Sequence, residues 1–113
     1  DVVVSSDARL KSKIVSLGST LSRLLLIDGK SYEMKGKQKI GVLAQDIQEV
    51  FPELVSEDDN KMLAVNYQGL VPVLINALKE QDAKMNEQQA EIDTYRDEVS
   101  ELKEIVQALV SRE

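Results

Sequence analysis

A serine and a lysine stand five positions apart near the start of this chain, in Ser5-Ser6-Asp7-Ala8-Arg9-Leu10-Lys11. A hydroxyl is a weak nucleophile until a base takes its proton, and a neutral lysine amine is a base that can do so. The chain has no histidine and no cysteine. That excludes Ser-His-Asp catalysis, thiolate chemistry, disulfides and most zinc sites. Carboxylates, Ser, Lys and Tyr remain as possible catalysts.

Spacing decides whether Ser6 and Lys11 can meet. On a helix, residues five apart point about 140° from each other, and in a strand they lie on opposite faces. Only a turn brings them together. Composition alone favours a plainer reading, in which Ser6 or Asp7 caps a short helical start and Lys11 is solvated. Asp7 suits a cap and Arg9 an ion pair.

Other charged groups carry less. Asp46, Glu49 and Glu53 read as a solvated face. Asp58-Asp59-Asn60 lacks the ligand spacing and glycine of a calcium loop. Neither a metal nor a cofactor is expected. Lys30, Lys35, Lys37 and Lys39 surround a hairpin without interleaved aromatics, which suits guarding of an edge strand better than contact with a nucleic acid.

The elements that must position these residues fall into two parts. The chain has 113 residues, with hydrophobics at 42% and charged residues at 30%, which describes a folded protein. One Phe, three Tyr and no Trp leave a core of Leu, Ile and Val. The net charge of −6 is uneven, because residues 68–113 carry 10 acidic and 5 basic side chains. An acidic helix repels phosphate backbones, which argues against nucleic-acid binding. No apolar run is long enough to cross a bilayer. Asp1-Val2-Val3-Val4 is not a signal peptide and lacks an initiator Met, so the chain is expected to be the C-terminal part of something larger.

Residues 1–67 read as a small α+β domain. A capped turn is expected over Ala8 to Lys13. Ser19-Thr20 precedes a short helix carrying Leu21, Leu24 and Leu25. Ser31 to Lys35 and Ile40 to Leu43 read as strands of a small antiparallel sheet, joined through Gly36-Lys37. Ala44 to Val50 reads as a helix ended by Phe51-Pro52. Leu54-Val55 and Met62 to Val65 flank a polar loop as a second hairpin. A domain of this size buries only about 60% of the surface its unfolded chain exposes, so help from neighbouring chains is expected.

Residues 68–113 read as one long helix. Val71, Leu78, Met85, Ile92, Val99 and Val106 recur every seventh residue and define position a. Position d holds Leu74, Gln81, Gln88, Tyr95, Leu102 and Leu109. Glu91 at g would face Arg96 at e across a parallel interface, and Glu98 would face Lys103, each pair of opposite sign. Such a helix would reach roughly 65 Å, too far for a small domain to cover. Another chain is expected to cover much of it; the alternative is a helix that folds back on its own domain, which suits its first two turns best. β-branched a residues favour dimers, while Gln and Tyr at d fit a wider core, so periodicity leaves dimer and trimer open.

Ser6-Asp7-Ala8-Arg9-Leu10-Lys11 resembles the S-D-x-R-x-K signature that opens the C-terminal intramolecular chaperone domains of phage tailspike, tail-fibre, neck-appendage and endosialidase proteins, the S74 peptidase family. Further similar blocks follow in the family's order: Leu24 and Tyr32, Gly41-Val42-Leu43-Ala44-Gln45, Phe51-Pro52-Glu53-Leu54-Val55, and Val65-Asn66-Tyr67 leading to Leu70.

The resemblance implies a homotrimer whose long helices form a parallel coiled-coil bundle. It implies a clamp that holds three copies of an upstream fibre region in register while they fold, then cuts itself off. In the family the serine of the signature is the nucleophile and its final lysine the partner, roles that fall on Ser6 and Lys11. The cut falls between Ser5 and Ser6, and Asp7 and Arg9 support the motif. Five residues precede Ser6, so the chain stands before that cut, or the cut falls at another bond. The implied setting is the host cytoplasm during virion assembly, with release from the mature virion protein. A trimerisation module without proteolysis and a permanent coiled-coil adaptor are the alternatives.

A lysine base sets a physical condition. Lysine ordinarily titrates near 10.4, and general-base work at neutral pH needs about 7–8, which burial can supply. Cleavage is therefore expected to depend on assembly that dries the site.

Overall fold

Phe51, Ile47 and Val73 form the centre of a small core, the first two from one short helix and its C-cap and the third from the long C-terminal helix. The computed structural model describes residues 3–112. Asp1 and Val2, where the expectation about the chain's opening partly falls, lie outside the described residues. In order, the elements are α1 (Leu21–Leu24), β1 (Lys30–Met34), β2 (Lys37–Gly41), α2 (Ala44–Val50), β3 (Val55–Glu57), β4 (Leu63–Val65) and α3 (Leu70–Ser111). The class is α+β. The strands form two separate two-stranded antiparallel sheets, β1 with β2 and β3 with β4, where the sequence suggests one.

α2 forms where its apolar residues recur at helical spacing. Ile47, Val50 and Phe51 share one face, and Ile47 and Phe51 are fully buried. The helix stops at Phe51 because Pro52 follows and disfavours helical backbone at the residue before it; Phe51 has φ −137° and ψ 67°. Leu24, Ile27, Val42, Leu54, Val55 and Val65 pack around this centre. The Arg23 guanidinium lies 4.5 Å over the Phe51 ring and Nη1 donates to the Val50 carbonyl at 3.3 Å.

The first hairpin corrects two expected boundaries. Lys35 and Gly36 both take positive φ, 53° and 75°, as a two-residue turn of the primed type requires. Lys37 is therefore already in the strand, opposite Met34. β2 ends at Gly41 instead of continuing to Leu43, because the next amide, of Val42, donates to the Tyr67 hydroxyl at 3.1 Å. The second hairpin closes on Asp58, whose Oδ1 accepts from the amides of Asn60 and Met62 at 2.8 and 2.9 Å. Its acidic loop is thus an Asx-type turn.

α3 begins after a 3-10 turn over Tyr67–Gly69 that Asn66 caps, its Oδ1 accepting from Gly69 N at 3.3 Å. Pro72 sits in the first turn, where its missing N–H has no intrahelical partner to lose. The helix has 42 residues and the molecule measures 85 × 43 × 29 Å. Only Val73 and Ala77 of α3 are buried, both near its start, where α3 packs against α1. The a and aliphatic d residues Val71, Leu74, Leu78, Met85, Ile92, Val99, Leu102, Val106 and Leu109, with Tyr95, are 47–71% exposed in the single chain. Among the described residues, no helix is long and apolar enough to cross a membrane.

Candidate active site

Residues 3–19 form an arm exposed along its whole length, and Thr20 is the first buried residue described. One 3-10 turn, Ala8–Leu10, organises the arm. Asp7 starts it from extended backbone, its Oδ1 accepting from Arg9 N at 2.9 Å. The Arg9 guanidinium grips the same carboxylate twice, Nε to Oδ1 at 3.1 Å and Nη2 to Oδ2 at 2.8 Å. Those bonds, side chain first and backbone second, hold the Asp7 carboxyl below its ordinary range, and Asp7 in turn raises Arg9. The turn is shorter than expected, since Lys11 is already extended.

That turn has the effect the chemistry needs. It folds the chain back so that Lys11 Nζ donates to Ser6 Oγ at 2.8 Å. Asp7 and Arg9 build the turn and do not touch the pair. Ser5, on the other side of the expected cut, precedes Ser6 in the same exposed stretch. A hydroxyl and an amine at this distance can pass a proton, provided the amine is neutral.

The remaining blocks gather elsewhere. Tyr32, Val42, Leu43, Ala44, Gln45, Val65 and Tyr67 line one open cleft of about 290 Å³ between the two hairpins. Gly41 lies at its edge, where an added Cβ would stand 2.8 Å from the Tyr67 hydroxyl and 3.1 Å from that of Tyr32. These blocks shape the fold, while the hydroxyl and amine lie apart on the arm. The acidic groups stay separate too: among the described residues, no three carboxylates cluster to hold a metal ion.

Three side chains tie the arm to the body, and of these the sequence points only to Thr20, as the start of a helix. The Thr20 hydroxyl donates to the Val73 carbonyl at 2.7 Å, Asn76 Nδ2 donates to the Gly18 carbonyl at 2.9 Å, and Glu80 Oε2 accepts from Leu21 N at 2.7 Å. Glu80 thus caps α1 from another element, which explains why Thr20, at the N-cap position, makes no cap of its own. Its carboxyl is held below the ordinary range, chiefly by the Ser19 hydroxyl and then by the Leu21 amide. The one local signal was a Thr before an apolar run.

Comparison with known proteins adds two findings. The family model described as "chaperone of endosialidase" (peptidase S74) matches residues 6–56, starting at Ser6. The long tail fiber protein Gp37 of Escherichia phage AR1 is 34% identical over 92 residues, covering 71% of this chain and 8% of that protein. The proteins of the same name from Enterobacteria phages K3 and T2 are each 31% identical over 103 residues, covering 81% of this chain and 8% of theirs. The chain therefore spans a small fraction of the length of these curated relatives.

Proposed function

We propose, from the match of residues 6–56 to the chaperone-of-endosialidase family model, that the chain is an intramolecular chaperone that trimerises, assists folding of an upstream phage-fibre region and releases itself by Ser-Lys autoproteolysis. The observation that carries the proteolytic part is the 2.8 Å contact of Lys11 Nζ with Ser6 Oγ. Residues 1–67 act as the chaperone and cleavage part, and residues 68–113 as the trimerisation helix. The exposed a and d residues of α3 supply the surface that three copies would share.

The chemistry follows from where the nucleophile stands. Ser6 carries the amide that is cut. Lys11, as the free amine, takes the Ser6 hydroxyl proton. Oγ attacks the Ser5 carbonyl carbon through a five-membered ring. Lys11 then returns the proton to the departing Ser6 nitrogen. The acyl group has moved from nitrogen to oxygen, leaving an ester. Water hydrolyses that ester, giving a Ser5 carboxylate and restoring the Ser6 hydroxyl beside a new amino terminus.

Both side chains are exposed in the single chain. Neighbouring protomers must therefore cover the amine before it works as a base. This makes cleavage a check on assembly: an unassembled chain leaves its lysine in water. The proposed setting is the host cytoplasm during virion assembly. The same exposure favours, as a second reading, a trimerising chaperone that does not cut.

Intact mass separates the two. The chain is produced with its upstream region as the native sequence, Ser6→Ala and Lys11→Ala. Loss of the upstream piece in the native form alone supports self-cleavage. A whole native product that still trimerises supports the second reading.

A further inference from the structure

We propose that Glu80, on the long helix, is a positioning residue for self-cleavage, its carboxylate fixing the root of the arm that carries Ser6 and Lys11. The inference rests on the proteolytic reading above and adds a device to it. Residues 3–19 are exposed throughout, so little of the arm's direction is set along its own length. Direction has to be set at the root, where the chain first enters the core.

Three hydrogen bonds meet at that root. Gly18 offers its carbonyl to Asn76, Thr20 reaches the Val73 carbonyl, and Leu21 N–H reaches the Glu80 carboxylate. All three partners lie on successive turns of α3. Gly18 takes a φ of 74°, so the chain turns sharply there as it leaves the latch. Glu80 holds the charge of the set: the Ser19 hydroxyl and the Leu21 amide both stabilise it, with the Lys84 ammonium contributing from the next turn.

The position of this latch on the helix gives it a role beyond local capping. With Val71 at a, Val73 and Glu80 fall at c, Asn76 at f and the buried Ala77 at g. The latch thus occupies the side of α3 away from the a and d residues, which stay exposed. Copies of α3 can meet along their seam while each keeps its own arm anchored outside. Fixing the seam then fixes three latches, and through them three arm roots.

The root does not make the Ser6–Lys11 contact, which the arm's own turn makes; it sets where that turn sits against the protomers that must cover Lys11, and a misplacement of about 1 Å costs a reaction on the order of a hundredfold in rate. The test uses the chain with its upstream region, comparing the native sequence with Glu80→Ala, Glu80→Gln, Asn76→Ala and Ser6→Ala. Sedimentation identifies the assembled species, and its single-turnover cleavage rate is followed by intact mass. Glu80→Ala is expected to assemble as the native chain does and to cleave about tenfold to a hundredfold more slowly. Glu80→Gln keeps an oxygen that accepts from Leu21 N–H and is expected to recover most of the rate. Should Glu80→Ala fail to fold, Asn76→Ala, which frees only the Gly18 carbonyl, is expected to slow cleavage in assembled material. Native rates in assembled Glu80→Ala or Asn76→Ala would overturn the proposal, as would a loss of rate that only follows a loss of assembly. A native chain that does not cut, or a Ser6→Ala chain that does, instead removes the Ser6–Lys11 reading and the positioning role with it.

Discussion

Thr20 and Val73 are joined across 53 positions of sequence by a buried hydrogen bond of 2.7 Å, hydroxyl to helix carbonyl. This bond links the short α1 to the long α3 where both enter the core. Thr20→Val keeps the shape and removes the donor. It is expected to cost about 0.5–1.5 kcal/mol, the usual net worth of one such bond. Denaturant unfolding of the protein checks it. Full native stability would mean that the bond contributes nothing.

Gly41 has no room for a side chain. An added Cβ would stand 2.8 Å from the Tyr67 hydroxyl, which the Val42 amide already engages. Gly41→Ala is expected to destabilise the globular part by about 1–3 kcal/mol as Tyr67 is pushed away. Combining it with Tyr67→Phe should relieve part of that cost, and equal stability of the single and double variants would contradict the contact.

Much of this arrangement was legible in the sequence, for identifiable reasons. α2 ran over Ala44–Val50 as expected, because Ile47, Val50 and Phe51 keep helical spacing and Pro52 supplies a stop. The sequence points to a first turn one residue later than the structure has it, because a lysine, Lys35, accepts positive φ, a conformation more often given to glycine or asparagine. The meeting of Ser6 with Lys11 was readable only as a condition, that a turn must lie between them, and Asp7 with Arg9 builds that turn. The latch was not readable. Glu80 looks like any exposed acidic residue of a long helix, and its partner Leu21 is 59 positions away.

Glu80 gives the protein a defined response to acid. Its carboxyl is depressed from the ordinary 4.5, first by the Ser19 hydroxyl and then by the Leu21 amide. A depressed carboxyl stabilises the fold above its unfolded value and loses that contribution as pH falls through the folded value. Stability is therefore expected to decline below pH 4.5. Glu80→Gln should flatten part of that decline. Denaturation midpoints measured across the acid range for both proteins check this, and parallel curves would contradict it.

Ile92 sits at position a and is 47% exposed in the single chain. Truncating it has little to disturb unless another copy buries it. Ile92→Ala is expected to weaken assembly by about 2–5 kcal/mol for each side chain that the bundle encloses. Asp97→Ala, at the outward position f, should leave assembly unchanged. Sedimentation equilibrium compares them, and identical behaviour of both variants and the parent would argue against a shared seam.

Assembly-gated cleavage is tested most directly by the rate at which the chain, made with its upstream region and kept from cutting until dilution, releases that region across a series of protomer concentrations. The rate is expected to climb steeply with concentration and to level off where sedimentation shows full trimer. A rate independent of concentration, in material that dilution has made monomeric, would contradict it.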